Sequence, residues 1–345
     1  MAWQRRAKGP KVRVARLHGV GDVRIDEEPA PVAGPGECLV RVTAVGLCGS
    51  DLHWFAQGGI GDASLSRPLV LGHELGGVVV GGPLDGVRVA VDPANPCGRC
   101  EACLEGNRNL CPAVRFAGHG ATDGGLRELV AWPRHLLHPV PDGLSDADAA
   151  VLEPLGVAVH AVDLAHLRAA ETVVVVGCGP IGLAAVQVAR AAGATTVVAV
   201  ERLAHRRAAA AAWADTALDP GSPEFREQLA AATGGRGADR VVECAGNDDA
   251  VAVAVAAARP GATVVLAGIP DDDRTSFPAA AARRKGLTFR MTRRMKEVYP
   301  RAIALVEHRR VDVRALVSHT YRLDDAAEAF AVAAARTGLK VLVVP

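Results

Sequence analysis

Short apolar runs broken by glycine and proline dominate the first part of the chain. Alternating or β-branched residues between about residues 12 and 150 predict short strands, the clearest at 11–16, 38–44, 77–80 and 87–91. We therefore expect an irregular all-β region here.

A different pattern begins at about residue 157. Apolar strands predicted at 172–176, 196–200, 239–244 and 262–267 alternate with helical stretches such as 181–192 and 203–214. Apolar strands joined by helices are typical of a doubly wound parallel sheet, to which 287–291 would add an edge strand. The tail returns to mixed elements, with helices near 300–309 and 324–336 and a final strand at 340–344. The fold class predicted from the pattern is α/β.

Composition narrows the function classes. The 345 residues, 50% hydrophobic and 22% charged, are enough for two domains with a large core and do not indicate disorder. With a net charge of +1 and no basic run interleaved with aromatics, the chain lacks the electrostatic pattern of a nucleic-acid binder. Its apolar runs are much shorter than the roughly eighteen residues of a membrane span. A small-molecule enzyme that binds neither nucleic acid nor membrane is the expected class.

The N-terminal residues MAWQRRAKGPK are basic, but no apolar core follows them, so we interpret them as an extension rather than a secretory signal. Three cysteines, Cys38, Cys178 and Cys244, lie outside the clusters described below, which favours a reducing compartment. We expect a cytoplasmic location.

Four cysteines lie close together, at Cys97, Cys100, Cys103 and Cys111, with two, two and seven residues between them. Four thiolates at this spacing can converge tetrahedrally on one zinc ion and close its shell, which is the pattern of a structural site. Two disulfides are the alternative, but cysteines so close in sequence bridge poorly. We predict a structural zinc.

A glycine motif, GCGPIG, directly follows the strand predicted at 172–176. Gly177 allows a tight turn, Gly179 lets the backbone approach a pyrophosphate, and Gly182 lets the next helix pack on the strand with its N-terminus facing the anion. Glu201 ends the following strand nineteen residues after Gly182, where a carboxylate can bind both hydroxyls of an adenosine ribose. The motif predicts a bound dinucleotide.

Glu201 also bears on which nicotinamide cofactor is used. A carboxylate at this position repels a 2′-phosphate, which favours NAD over NADP. Arg202, Arg206 and Arg207 could bind a phosphate, or could simply form a solvated helix face. We expect NAD to be preferred.

A second group of metal-binding residue types is dispersed along the chain. Cys48 occurs in GLCGSDLHW, His73 and Glu74 occur in LGHELGG, and Glu153 precedes a proline. A lone cysteine is usually a core residue and a lone histidine a satisfied polar group. Together these residues offer the thiolate, imidazole and carboxylates that hold a catalytic zinc with an open position.

The segments GLCGSDLHW, PLVLGHELGG, the four-cysteine stretch, EPLGVAVHA and GCGPIG resemble, in this order, those of the zinc-dependent medium-chain alcohol dehydrogenases. The resemblance covers nearly the whole chain. EPLGVAVHA, and GGIG at 58–61, are most similar to the sorbitol, xylitol and iditol dehydrogenase branch. The resemblance implies reversible oxidation of a secondary alcohol by NAD⁺, with polyols as the leading substrates, and a homodimer or homotetramer.

The resemblance also implies a domain organisation. A GroES-like catalytic domain with a partly open β-barrel would occupy 1–156, including a structural-zinc lobe at about 93–115. A Rossmann domain would follow at 157–292, and 293–345 would return to the catalytic domain. The active site would lie in the cleft between the domains.

Metal ligation is carried over position by position, and it implies two zinc ions per chain. Cys48, His73 and Glu74 match ligands of the catalytic zinc. Glu153 matches a carboxylate near that zinc, and which of the two acids ligates it stays open.

Other roles also follow from the resemblance. Ser50 and His53 match a proton relay, with simple packing as the alternative for His53, and Asp51 would orient His73. The positions matched to cofactor binding are Gly177, Gly179, Pro180, Ile181, Gly182, Glu201, Arg206 and Arg294.

Two positions depart from the polyol pattern. Trp54 and Met295 stand where polyol dehydrogenases commonly have tyrosines, so a less polar or differently shaped alcohol is plausible. One alternative function is a dehydrogenase of an amino alcohol such as threonine, or of an aminocyclitol. An alternative from another class is a non-catalytic NAD- and zinc-binding structural protein, against which the intact Cys48, His73, Glu74 and Ser50 argue.

Overall fold

The structure is a computed structural model that describes residues 10–345. Most of the basic N-terminal segment, interpreted above as an extension, falls on residues 1–9 and lies outside the described residues. Within residues 10–345, none of the helices combines the length and the apolar character that crossing a bilayer requires.

The first part of the chain consists mainly of short strands. These strands are β1 (Lys11–Gly19), β2 (Asp22–Pro29), β3 (Glu37–Gly46), β4 (Gly59–Ile60), β5 (Ala63–Ser64), β6 (Leu69–Val70), β7 (Glu74–Val80), β8 (Arg88–Val91), β9 (Ala94–Asn95), β10 (Arg115–Phe116), β11 (Leu129–Pro133) and β12 (Leu137–Pro139). The helices of this part are α1 (Gly49–Gln57), α2 (Glu101–Leu104) and α3 (Asp146–Ala165). The predicted all-β region is confirmed in its strands, but α1, α2 and α3 were not predicted.

The helix α3 was missed because its sequence is apolar nearly all round and contains Pro154. Its start does carry a local signal. Ser145 and Asp148 form a capping box, in which the Ser145 side chain accepts from the Asp148 N–H and the Asp148 carboxylate accepts from the Ser145 N–H.

The middle of the chain forms a six-stranded sheet in which every pairing is parallel. Its strands are β13 (Thr172–Val176), β14 (Thr196–Val200), β15 (Thr216–Leu218), β16 (Ala238–Glu243), β17 (Ala258–Leu266) and β18 (Thr288–Met291). Its helices are α4 (Pro180–Ala191), α5 (Ala204–Ala210), α6 (Phe225–Ala232), α7 (Asp248–Ala257) and α8 (Ala279–Lys285). The spatial order β15-β14-β13-β16-β17-β18 is doubly wound, which confirms the predicted α/β fold.

The last residues return to the first sheet. After α9 (Tyr299–Glu307) come β19 (Val317–Arg322), α10 (Ala326–Ala334) and β20 (Lys340–Val344). The strand β20 lies between β3 and β19, antiparallel to β3, in a sheet of order β12-β8-β7-β3-β20-β19 with β11 also paired to β3. The end of the chain is therefore brought beside the residues that follow β3.

The helix α3 connects the two sheets without a linker. It runs continuously through position 156/157, where the sequence places the domain boundary, and one buried cluster includes Ala44 and Ala90 from the first sheet, Val159 from α3 and Val175 from the second. Glu153 is consequently held on a rigid helix between the two sheets.

Candidate active site and structural metal site

Three potential metal ligands from distant segments converge at one point. The ligand atoms of Cys48, His73 and Glu74 all lie within 4.8 Å of one another, with His73 and Glu74 buried and Cys48 half-buried. A thiolate, an imidazole and a carboxylate grouped this tightly fit a zinc ion that keeps one position open, as catalytic zinc sites do.

Cys48 is held by the start of α1. It stands immediately before the helix in extended backbone, and its N–H donates to Asp51 Oδ2 at 2.9 Å. Because Asp51 lies in the first turn, its carboxylate caps the helix N-terminus and stabilises the turn that presents the Cys48 thiol.

The same carboxylate orients His73. Asp51 is only 1% exposed, and its Oδ1 accepts from the Gly72 N–H at 3.2 Å and lies 3.4 Å from His73 Nδ1. Burial acts to raise the pKa of Asp51, but His73 and the N–H groups of Cys48 and Gly72 outweigh it, so the pKa is lowered. An ionised Asp51 favours the proton on Nδ1 and leaves Nε2 of His73 available to a metal.

Glu74 begins β7 opposite Gly46 of β3. A Cβ at position 46 would lie 2.1 Å from Glu74 Oε2, so only glycine there leaves room for the carboxylate. The ammonium of Lys340, from β20, donates to Glu74 Oε1 at 2.7 Å, and both residues are fully buried.

Glu153 does not join this set of mutually close donor atoms, although the sequence groups it with the ligands. It projects from α3, is 4% exposed, and has its pKa raised to about 8 by burial, with Glu74 adding to the rise and His73 and Lys340 opposing it. Its charge therefore interacts with the site, but the structure gathers only three of the four predicted ligands.

Phe116 lies beside the ligand His73, and His119 and Arg294 lie beside Phe116. The ring of Phe116 lies 5.2 Å from that of His73, centroid to centroid, and the Arg294 guanidinium lies 4.6 Å from the Phe116 centroid. Burial, together with Arg293, lowers the pKa of Arg294 to about 10, while Glu153 opposes that shift. Within residues 10–345, the half-buried imidazole of His119 makes no side-chain hydrogen bond. Phe116, His119 and Arg294 thus form one wall beside the ligands, and this wall offers a cation and an imidazole with free hydrogen-bonding capacity.

Trp54 and Met295, expected to make the substrate pocket less polar, are both buried. Trp54 is 1% exposed and lies edge-on beneath His119, with 5.4 Å between ring centroids. Met295 is 6% exposed, and a Cβ on Gly156 would lie 2.3 Å from its sulfur. Both side chains belong to buried apolar clusters, and the expectation about the substrate stays a prediction.

Ser50 and His53 lie on α1 beside the ligands. Ser50 Oγ is 3.5 Å from His73 Nε2. His53 Nδ1 is 3.2 Å from Gln57 Oε1 and 3.7 Å from Asp271 Oδ1, a carboxylate that follows β17 of the parallel sheet. The two residues thus run from the ligand set toward the loops of the second sheet.

The glycine motif forms a strand-turn-helix at the carboxyl end of β13. Gly177 has φ +86°, and a Cβ on Gly182 would lie 1.8 Å from the Gly177 oxygen, so neither position accepts a side chain. Gly179 precedes α4, and Pro180 and Ile181 are its first residues. The free N–H groups of this helix start face the position that a pyrophosphate occupies in dinucleotide-binding sheets.

Glu201 and the neighbouring arginines are held by the backbone. Glu201, 7% exposed, accepts from the Cys178 N–H at 2.7 Å and from the Leu203 N–H at 2.8 Å. Arg206 donates to the Gly338 carbonyl at 3.2 Å. Arg207 donates to the Glu201 carbonyl at 2.8 Å and pairs with Asp219 at 3.1 Å, whereas Arg202 is exposed.

The four lobe cysteines also converge. The sulfurs of Cys97, Cys100, Cys103 and Cys111 lie within 4.8 Å of one another, and all eight cysteines are free thiols, so the disulfide alternative is not observed. The N–H groups of residues 99 and 100 lower the pKa of Cys97 to about 6, whereas burial raises the pKa of Cys103 to about 12. An all-thiolate set fits a closed structural zinc site.

Two contacts connect the four-cysteine lobe, at about residues 93–115, to the segment that carries Arg294. Asn109 Nδ2 donates to the Arg293 carbonyl at 2.9 Å, and Arg108 pairs with Glu297 at 2.7 Å. Arg294 itself has a positive φ of 52°, so its backbone depends on such restraints.

Sequence reasoning missed Lys340, Phe116 and His119. The first had one available signal: it is a lone lysine that opens the apolar run KVLVV, where a buried charge requires a partner. Nothing in the local sequence distinguishes Phe116 or His119 from other loop residues.

This parallel sheet with its glycine turn, together with a three-residue donor set and a four-cysteine lobe, defines a zinc-binding, dinucleotide-dependent dehydrogenase. Family models for an alcohol dehydrogenase GroES-like domain and a zinc-binding dehydrogenase match residues 34–142 and 180–308. The chain belongs to the zinc-dependent medium-chain alcohol dehydrogenase family and is an enzyme of that class.

The similar proteins include polyol and sugar-acid dehydrogenases. Sorbitol dehydrogenase of Bacillus subtilis is 33% identical over 97% of both chains, and D-xylulose reductase A of Aspergillus oryzae is 36% identical over 95% of both. The solved structure of L-idonate 5-dehydrogenase from Escherichia coli has a TM-score of 0.90 at 27% identity and covers 97% of this chain and 99% of its own.

Proposed function

We propose that this enzyme oxidises a secondary carbinol of a polyol to a ketone and transfers the hydride to NAD⁺. The observation that carries the proposal is the convergence of Cys48, His73 and Glu74 within 4.8 Å in a chain of this family. Relatives named for sorbitol and xylulose support the substrate class.

Zinc at this set would polarise the alcohol oxygen and lower the pKa of its hydroxyl, and NAD⁺ would accept the hydride. Asp51 keeps His73 oriented. Ser50, beside His73 Nε2, would accept the hydroxyl proton at Oγ while releasing its own hydroxyl proton, and His53 on the same helix would carry a proton on toward the loop that holds Asp271. Helix α3 keeps Glu153 at the site, where it can hold a proton.

The polar wall supports a substrate with several hydroxyls. His119 and Arg294 offer hydrogen-bond donors beside the ligands, and Phe116 supplies an apolar surface between them. A polar pocket rejects an analogue that leaves its buried groups unpaired, so simple secondary alcohols are expected to be poorer substrates.

A substrate panel tests the proposal. C4 to C6 polyols, simple secondary alcohols, cyclitols and threonine would be compared by NADH absorbance with the purified zinc-loaded chain. We expect the highest kcat/KM on a polyol. Activity on threonine and on no polyol would contradict the substrate class, and no turnover on any alcohol would contradict the enzymatic role.

Preference for NAD⁺ over NADP⁺ is the second element of the proposal. The Glu201 carboxylate is buried close to the glycine turn, where it opposes a 2′-phosphate. Arg206 and Arg207 are already engaged by carbonyl groups or a carboxylate, which leaves Arg202 as the exposed cation of the three.

Glu201→Gln is expected to shift the ratio of kcat/KM for NAD⁺ to that for NADP⁺ toward NADP⁺ by about tenfold or more. The change removes the charge while retaining hydrogen-bonding groups, and one charged hydrogen bond is worth about 1.5–3 kcal/mol. Asp215→Asn is the matched control. Asp215 is also an acid that accepts a backbone N–H, in its case the N–H of Val197 in β14. An unchanged ratio in the Glu201 variant would contradict the role.

The proposal also includes self-association of the chain into a dimer or tetramer. The strand β18 is an edge of the parallel sheet within the described residues, and Met291, Phe277 and Ile269 expose apolar surface near it. An exposed strand edge with apolar neighbours favours pairing with a second copy. Light scattering should give the mass of a dimer or tetramer, and a monomer mass would contradict this part.

The eight free thiols support a cytoplasmic location, which fractionation of the source cells would test.

A further inference from the structure

Lys340 is a buried cation beside the metal ligands proposed above. It begins β20, is 2% exposed, and its Nζ lies 2.7 Å from each carboxylate oxygen of Glu74 while donating to Oε1. Nζ also donates to the Leu47 carbonyl at 2.9 Å, directly before Cys48. One ammonium group therefore contacts the segments that carry two of the three proposed ligands.

Packing alone does not account for a lysine at this position. The following residues Val341, Leu342 and Val343 are buried and apolar. A buried ion pair is often no more stable than apolar residues of similar volume, because both charges lose their hydration. Apolar residues at both 340 and 74 would fill the space without that cost, so the buried pair calls for another explanation.

We propose that Lys340 is a positioning residue that competes with the catalytic metal for the Glu74 carboxylate and so sets how tightly Glu74 holds that metal. The inference rests on the proposed metal set. The ammonium draws negative charge away from Glu74, so the carboxylate donates less to a metal beside it. Its bond to Leu47 keeps the competing charge at a constant distance from Cys48.

Removing the ammonium should tighten the bond between Glu74 and the metal. The test uses the full chain with Co²⁺ at the catalytic site, because the visible spectrum of Co²⁺ reports its ligands. In Lys340→Met we expect an altered spectrum, release of Co²⁺ to a chelator slowed about tenfold, and kcat lowered about tenfold, the size of one charged hydrogen bond. Lys340→Arg, which retains the charge, should recover most of both properties.

Lys285→Met is the matched control for losing a partly buried ammonium. Lys285 Nζ donates to the carbonyls of Val255, Ala256 and Ala258 at the end of α7 and contacts none of the proposed ligands. The Lys285→Met variant should have a lower midpoint of thermal unfolding, but its Co²⁺ spectrum and Co²⁺ release rate should be unchanged.

The Glu74→Gln background separates positioning from folding. Lys340→Met should change the Co²⁺ release rate in the parent chain but not in Glu74→Gln, where no carboxylate is left to contest. The inference would be overturned if Lys340→Met changed the Co²⁺ release rate equally in both backgrounds. It would also be overturned if Lys340→Met released Co²⁺ as fast as the parent chain does. If the single variant Lys340→Met does not fold, the comparison uses Lys340→Arg and the double variant Glu74→Gln with Lys340→Met, which carries neither charge. A parent chain that binds no Co²⁺ at this set would instead overturn the proposed function.

Discussion

Cys48→Ser is expected to lower kcat by about a thousandfold, equivalent to about 4 kcal/mol of lost transition-state stabilisation. Serine does not supply a thiolate, so the donor set would retain only His73 and Glu74. The measured zinc content should fall from two ions per chain to one. The midpoint of thermal unfolding should change little, because Cys48 is half-buried and the Asp51 cap of α1 accepts from its backbone N–H, which serine retains.

Cys38→Ser is the matched control for that experiment. It makes the same chemical change at a half-buried thiol in β3, outside both cysteine-containing metal sets. It should retain two zinc ions and normal turnover. Unaltered kcat in the Cys48 variant would mean that Cys48 is not a ligand of the catalytic metal.

Cys100→Ser is expected to have the largest effect on stability. Losing one of four thiolates opens the closed lobe site, and the midpoint of thermal unfolding should fall by about 5–10 °C. The substrate KM should also rise, because the lobe residue Asn109 holds the Arg293 carbonyl and thereby the segment of Arg294. Calorimetry, zinc analysis and steady-state kinetics measure the three effects.

Asn109→Ala separates the two consequences of lobe loss. It removes only the bond to Arg293, so both zinc ions and most of the stability should be retained while KM rises. A Cys100→Ser variant with normal stability and full zinc content would contradict the structural role of the lobe. An unchanged KM in Asn109→Ala would show that the Asn109 bond does not position Arg294.

Local signals account for what could be predicted. The strand at 172–176, the glycine turn after it and the helix that follows depend on interactions between near neighbours in the chain, so alternation and glycine spacing were sufficient. The helix predicted at 203–214 ends earlier, at Ala210, where turns replace the helix. The long helix α3 escaped prediction because burial on all sides erases the amphipathic pattern.

The directions of side chains could not be predicted. Trp54 and Met295 occupy positions where the family resemblance suggested substrate contact, yet both point into the core. Glu153 was grouped with the ligands by resemblance, but the donor set contains only three residues. These outcomes depend on how α1 and α3 pack against the sheets, which no short stretch of sequence encodes.

By itself, the sequence determined the four-cysteine lobe and the glycine turn, because each closes within about fifteen residues and chain geometry alone brings its groups together. Only the tertiary structure decided the active site. The pairing of β3 with β7 puts Glu74 opposite Gly46, and the insertion of β20 beside β3 brings Lys340 to Glu74 from the far end of the chain. The physical reason is that these contacts depend on strand register between segments that are not neighbours in the chain, 266 residues apart for Lys340 and Glu74, and this register forms only when the whole sheet assembles.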